Sequence, residues 1–89
     1  MVTLKQAIEL VNQKLKNSEY EYYRGLRADH ASEFENGWRI GFPHEGEFGG
    51  LYYVSKKTGE VLPYPSFCKY EKSGSVPVPD DVFHREAGY

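Results

Sequence analysis

Glu33-Phe34-Glu35-Asn36-Gly37-Trp38-Arg39-Ile40-Gly41-Phe42 is the stretch on which the fold turns. Asn36-Gly37 is the strongest short hairpin signal in the chain, because both residue types tolerate the left-handed backbone of a tight turn. On its far side Trp38, Ile40 and Phe42 alternate with Arg39 and Gly41. Three large apolar side chains therefore share one face of a strand. Pro43 lacks the donor a ladder needs and ends the run. An antiparallel hairpin with one buried face follows, and that face needs a cover.

The cover lies upstream. Leu4, Ile8, Val11 and Leu15 recur at helical spacing, with Ala7 and Leu10 widening the stripe. Thr3 and Gln6 have the spacing of a capping box, and Val2 stands where a hydrophobic staple against Ala7 would be. The helix is expected to end near Asn17. A helix of this length is marginal alone in water, so its stripe must dock on the sheet. Between helix and hairpin, Tyr20 and Tyr22 alternate with Glu19 and Glu21. This pattern predicts a further strand within Glu19 to Ala28, with Tyr23 marking a bulge.

Downstream, Pro43 to Gly50 reads as a loop and Leu51 to Lys56 as a strand. Lys57-Thr58-Gly59 reads as a turn with Gly59 at positive φ, and Glu60 to Tyr64 as the returning strand. Pro63 puts that last strand at an edge. Beyond Pro65 the signal weakens, although Pro79-Asp80-Asp81 can open a short helix reaching Glu86. The expected fold class is α+β: an N-terminal helix on an antiparallel sheet of about four strands, with a loosely structured C-terminal tail. Residues 1–64 form the helix-plus-sheet core, and residues 65–89 are an extension of the same single domain.

Composition narrows the function. Apolar residues make up 39% and charged residues 27%, which is too balanced for a disordered chain. A domain of 89 residues buries only somewhat over ~60% of its unfolded surface, so a flat or grooved binding surface suits it better than a deep cleft. No apolar run approaches the ~20 residues of a membrane span, and residues 1–16 lack the apolar core of a signal peptide. With one cysteine there is no internal disulfide. A cytoplasmic protein without membrane contact is expected.

Candidate chemistry is sparse. Cys68 has no histidine at a recognisable catalytic spacing, and inert burial is the commoner fate of such a thiol. Neither pairs nor clusters of metal-ligand spacing occur among His30, His44, Cys68 and His84, so neither a metal nor a cofactor is expected. The Gly-rich run from Gly46 to Gly50 lacks the lysine and following helix of a phosphate cradle. The carboxylate pairs Glu19/Glu21, Glu33/Glu35 and Glu45/Glu47 read as wet sheet faces. Charge is nonetheless uneven. Residues 1–18 hold three lysines against one glutamate, while residues 19–47 hold three arginines against six glutamates and one aspartate. An acidic middle disfavours nucleic acid, despite arginines near the aromatics, and suits a basic protein partner.

The segments T-L-K-Q-A-I-E-L-V-N (3–12), G-W-R-I-G-F (37–42) and L-Y-Y-V-S-K-K-T-G-E-V (51–61) together form a pattern. It resembles that of the YrhB-like bacterial immunity proteins of polymorphic toxin systems. The likeness runs over residues 3–64, through Gly37, Trp38, Ile40 and Phe42 and then Tyr53, Val54, Lys57, Thr58, Gly59, Glu60 and Val61. It implies an α+β domain that binds and neutralises a toxin, or a related chaperone-like role, with no cofactor and no catalytic residue. The expectation is thus a non-enzymatic protein-binding module that occludes its partner's active site. Its contacts would come from residues near loops: Glu33, Glu35, Glu45, Glu47, Phe48 and Tyr52. The alternative is a self-associating module, for instance a homodimer through the Glu60 to Tyr64 edge.

Overall fold

Thr3 opens the first helix by reciprocal capping. Its N–H donates to Gln6 Oε1 at 2.9 Å, and the Gln6 N–H donates to Thr3 Oγ1 at 3.2 Å. The computed structural model describes residues 1–43, 50–63, 71–72 and 74–89. The first helix, α1, spans Leu4–Lys16 and buries Leu4, Ala7, Ile8, Val11 and Leu15. Leu10 lies outside that stripe and is exposed. Lys14 and Lys16 occupy the last turn, where the helix dipole favours cations.

The sheet is antiparallel throughout, in the order β4-β3-β2-β1-β5. Its strands are β1 (His30–Glu33), β2 (Gly37–Phe42), β3 (Gly50–Ser55), β4 (Val61–Pro63) and β5 (Val76–Pro77). Trp38, Ile40 and Phe42 share the helix-covered face, as their alternation requires, and Val54 joins them opposite Trp38. The Trp38 indole N–H donates to the Val2 carbonyl at 3.0 Å, and the Val2 N–H donates to the Lys56 carbonyl at 2.7 Å. The start of α1 is thereby pinned to the strand it covers.

The hairpin is where the sequence places it, but its corner is one residue earlier. The Phe34 N–H donates to the Gly37 carbonyl at 2.8 Å, so Glu35 and Asn36 make the turn. Gly37 is the first residue of β2, and it is needed for space. A Cβ there would come within 2.2 Å of the Tyr53 phenol, which is itself fully buried. Gly59 does take positive φ, at 75°, and Pro63 does sit on an edge strand.

Two expectations change. Glu19 to Ala28 contains no strand; the chain makes one 3-10 turn, Glu21–Tyr23, and then runs irregularly. Its backbone donors are satisfied locally, Tyr23 to Tyr20, Arg24 to Glu21 and Leu26 to Tyr23. The run closes on α1, where the Ala28 N–H donates to Asn12 Oδ1 at 2.7 Å. The closing stretch 74–89 is also more ordered than a loose tail. It supplies β5 as a fifth strand, and the expected helix after Pro79 forms as α2 (Asp80–Ala87), whose Phe83 is 1% exposed in the common core. Tyr89 then locks the end of α2 down. Its hydroxyl donates to the Ala28 carbonyl and accepts from Asn12 Nδ2, and the Arg27 guanidinium stands 4.0 Å over its ring. Among the described residues no helix is long and apolar enough to cross a membrane.

Candidate functional site

Three tyrosines fall within four residues at the 3-10 turn, and the turn makes them converge. Tyr22 and Tyr23 meet edge to face at 4.6 Å, Tyr20 and Tyr23 at 5.5 Å, and Tyr20 and Tyr22 tilt together at 5.9 Å. Tyr23 then meets Phe42 edge-on at 5.6 Å, and Phe42 stacks on Tyr52 at 5.5 Å. A continuous set of rings therefore runs from the buried Phe42 out to Tyr20 and Tyr22, which are 58% and 59% exposed. The Arg24 Nε donates to the Ser18 carbonyl at 2.9 Å and braces the turn from behind.

Burial pushes the Tyr23 phenol above its ordinary pKa, helped by its hydrogen bond to Tyr22 and by the neighbouring phenols; burial alone does the same for Tyr52. Both hydroxyls stay neutral at physiological pH and remain able to donate. Beside the rings lies a notch of about 280 Å³, lined by Tyr20, Tyr23 and Tyr52 and by Lys14, Asn17 and Glu19. The Lys14 ammonium stands 5.8 Å from the Tyr52 centroid. Exposed aromatic area on a braced turn, with neutral donors and charged groups around it, is the chemistry of a protein contact.

The residues expected to face a partner are spread over the molecule. Tyr52 belongs to the ring cluster. Glu35 is exposed at the hairpin corner and lines a groove with Asn36, Lys57 and Glu60. Glu33 is already engaged: its carboxylate lies 2.7 Å from Lys56 Nζ. Lys56, only 8% exposed, also donates to the Phe34 carbonyl at 2.8 Å and stands 4.8 Å over the Trp38 ring. The hairpin corner and the ring cluster lie at opposite ends of β2, about 17 Å apart at ~3.3 Å per residue. Glu45, Glu47 and Phe48 lie outside the described residues, as do His44 and Cys68.

Two further groups emerge only in three dimensions. Glu71 accepts from the Asn36 N–H at 3.0 Å and from the Tyr53 hydroxyl at 2.5 Å, tying the closing segment to the hairpin corner. Asp29 and His30 pair at 2.5 Å on the surface. The nearby Ser32 hydroxyl is 3% exposed and accepts from Arg39 Nη2 at 3.0 Å, so it is engaged rather than poised as a nucleophile. Among the described residues no group of three or more His, Cys, Asp or Glu could hold a metal ion.

Tyr20, Tyr22 and Tyr23 escape a periodicity reading because alternation with glutamate mimics a strand. Their signal is density: three tyrosines in four residues among polar neighbours, without a single aliphatic. No family model, curated protein or solved structure matches this chain.

Proposed function

We propose that this chain is a non-enzymatic protein-binding module, similar in action to a toxin-immunity protein, that covers its partner's active site in the cytoplasm. The observation that carries the reading is the tyrosine cluster: Tyr20 and Tyr22 project from a core-anchored ring set that needs little ordering on binding. Tyrosine is among the residue types enriched at the hot spots of protein interfaces. Exposed carboxylates of the acidic middle, Glu19, Glu21 and Glu35, would steer a basic partner and raise the on-rate.

The sheet edges favour a face over an edge as the contact, and so a partner over a second copy. The Val78 N–H donates inward to the Ala31 carbonyl, so on β5 the alternate positions that face outward are Pro77 and Pro79. Neither can donate. On β4 the same alternation turns Val61 and Pro63 outward. Edges blunted by proline resist strand pairing.

The test is protection. Each gene flanking this one is expressed alone and together with this chain. A flanking product that arrests growth alone and is tolerated in the chain's presence supports the reading. The double variant Tyr20→Ala, Tyr22→Ala is expected to lose protection while keeping the wild-type melting curve. Absence of any growth-arresting neighbour, or arrest that the chain does not relieve, would overturn it.

A further inference from the structure

Among the described residues a finished cation site lies at Lys56, besides Arg27 over Tyr89, and an unfinished counterpart lies at the tyrosine cluster. In the finished one, Lys56 Nζ lies 4.8 Å from the Trp38 centroid and 2.7 Å from the Glu33 carboxylate. In the other, the notch at the tyrosine cluster is lined by Tyr20, Tyr23 and Tyr52 together with Glu19 and Lys14. Among the described residues neither Glu19 nor Glu21 has an ion-pair partner. Two cations near the turn have contacts of their own. Arg24 Nε is bonded to the Ser18 carbonyl, and Lys14 hovers over Tyr52 at 5.8 Å, looser than Lys56 on Trp38.

We propose that this notch receives one arginine side chain of the protein partner, its guanidinium stacked on the tyrosine faces and paired with Glu19, with Lys14 moving aside. This rests on the protein-binding reading and names the chemistry of its central contact. A volume of about 280 Å³ suits a single long side chain. Arginine fits better than lysine, because a planar guanidinium stacks on a ring and presents a fork to a carboxylate at once. Lys14 already demonstrates that a cation rests on this surface; it acts as an internal competitor.

The competitor makes the proposal directional. The purified chain is titrated with the peptide acetyl-Gly-Arg-Gly-amide, following tyrosine ring signals by NMR, and with the same peptide carrying citrulline, the neutral isostere. Saturable shifts confined to Tyr20, Tyr23 and Tyr52 are expected, with the citrulline peptide at least about three-fold weaker, the scale of an exposed cation–π contact. Glu19→Gln should weaken the arginine peptide by about three-fold and Lys14→Gln tighten it by about two-fold. Lys5→Gln makes the same net-charge change elsewhere on α1 and should change nothing. Shifts that do not saturate, equal binding of citrulline, or equal tightening by Lys5→Gln and Lys14→Gln would each overturn the proposal. The peptide needs no partner protein, so a failure here leaves the growth assay standing, and failure of that assay leaves the notch chemistry measurable.

Discussion

The two ends of β2 use the same ingredients to opposite effect. At the hairpin end a lysine, an indole and a carboxylate close on one another, and Lys56 is only 8% exposed. At the other end the tyrosine rings meet one another, but Glu19 and Glu21 have no ion-pair partner among the described residues and two rings are more than half exposed. Closure makes the first a structural clasp that holds the hairpin, β3 and the start of α1 together. Openness makes the second a surface with capacity left to bind. An aromatic-rich small domain therefore divides its aromatic residues by whether their charged neighbours are already satisfied.

If that division is right, substitutions at the hairpin end act on stability and those at the tyrosine end on binding. Gly37→Ala should have the largest effect. The added methyl cannot coexist with the Tyr53 ring, so Tyr53 must leave and its bond to Glu71 breaks; about 2–3 kcal/mol of stability is lost by chemical denaturation. Lys56→Ala should follow at about 2 kcal/mol, from two charged hydrogen bonds and the packing of a buried stem. Glu33→Gln should cost only about 0.5 kcal/mol, since its side chain is 50% exposed and solvent screens the pair. A larger loss for Tyr20→Ala with Tyr22→Ala than for Lys56→Ala would break the comparison.

The clasp and the cluster also differ in how far sequence alone reveals them. Helix α1 is legible because its cap and stripe are local, and so is the alternation of Trp38, Ile40 and Phe42. Everything that depends on a distant partner is not. Glu33 reads as a wet-face carboxylate because Lys56 lies 23 residues on. Gly37 reads as a turn glycine because Tyr53, which needs the space, belongs to another strand. Strand β5 is two residues long among prolines and exists only because β1 offers an edge. Tyr52 reads as an exposed residue beside a loop, whereas it is half-buried and stacked on Phe42. Its companions were hidden because a period of two is shared by a strand and by Tyr-Glu repeats that fold into a 3-10 turn.

The smallest effect separates the ends by pH. Burial holds the Tyr23 and Tyr52 phenols above their ordinary pKa of 10.0 in the folded chain, while the unfolded chain titrates near that value. Between the two, the unfolded state releases protons that the folded state retains, so stability falls as pH rises. The contribution is complete below pH 10 and is lost progressively above it. Denaturant midpoints measured between pH 8 and pH 11 should decline, and Tyr23→Phe, which cannot ionise, should flatten part of that decline. Glu35 is exposed at the hairpin corner, and Glu35→Gln there should leave the alkaline slope near its wild-type value. A slope that followed Glu35 and ignored Tyr23 would mean that the rings are not the mutually supporting unit their geometry describes.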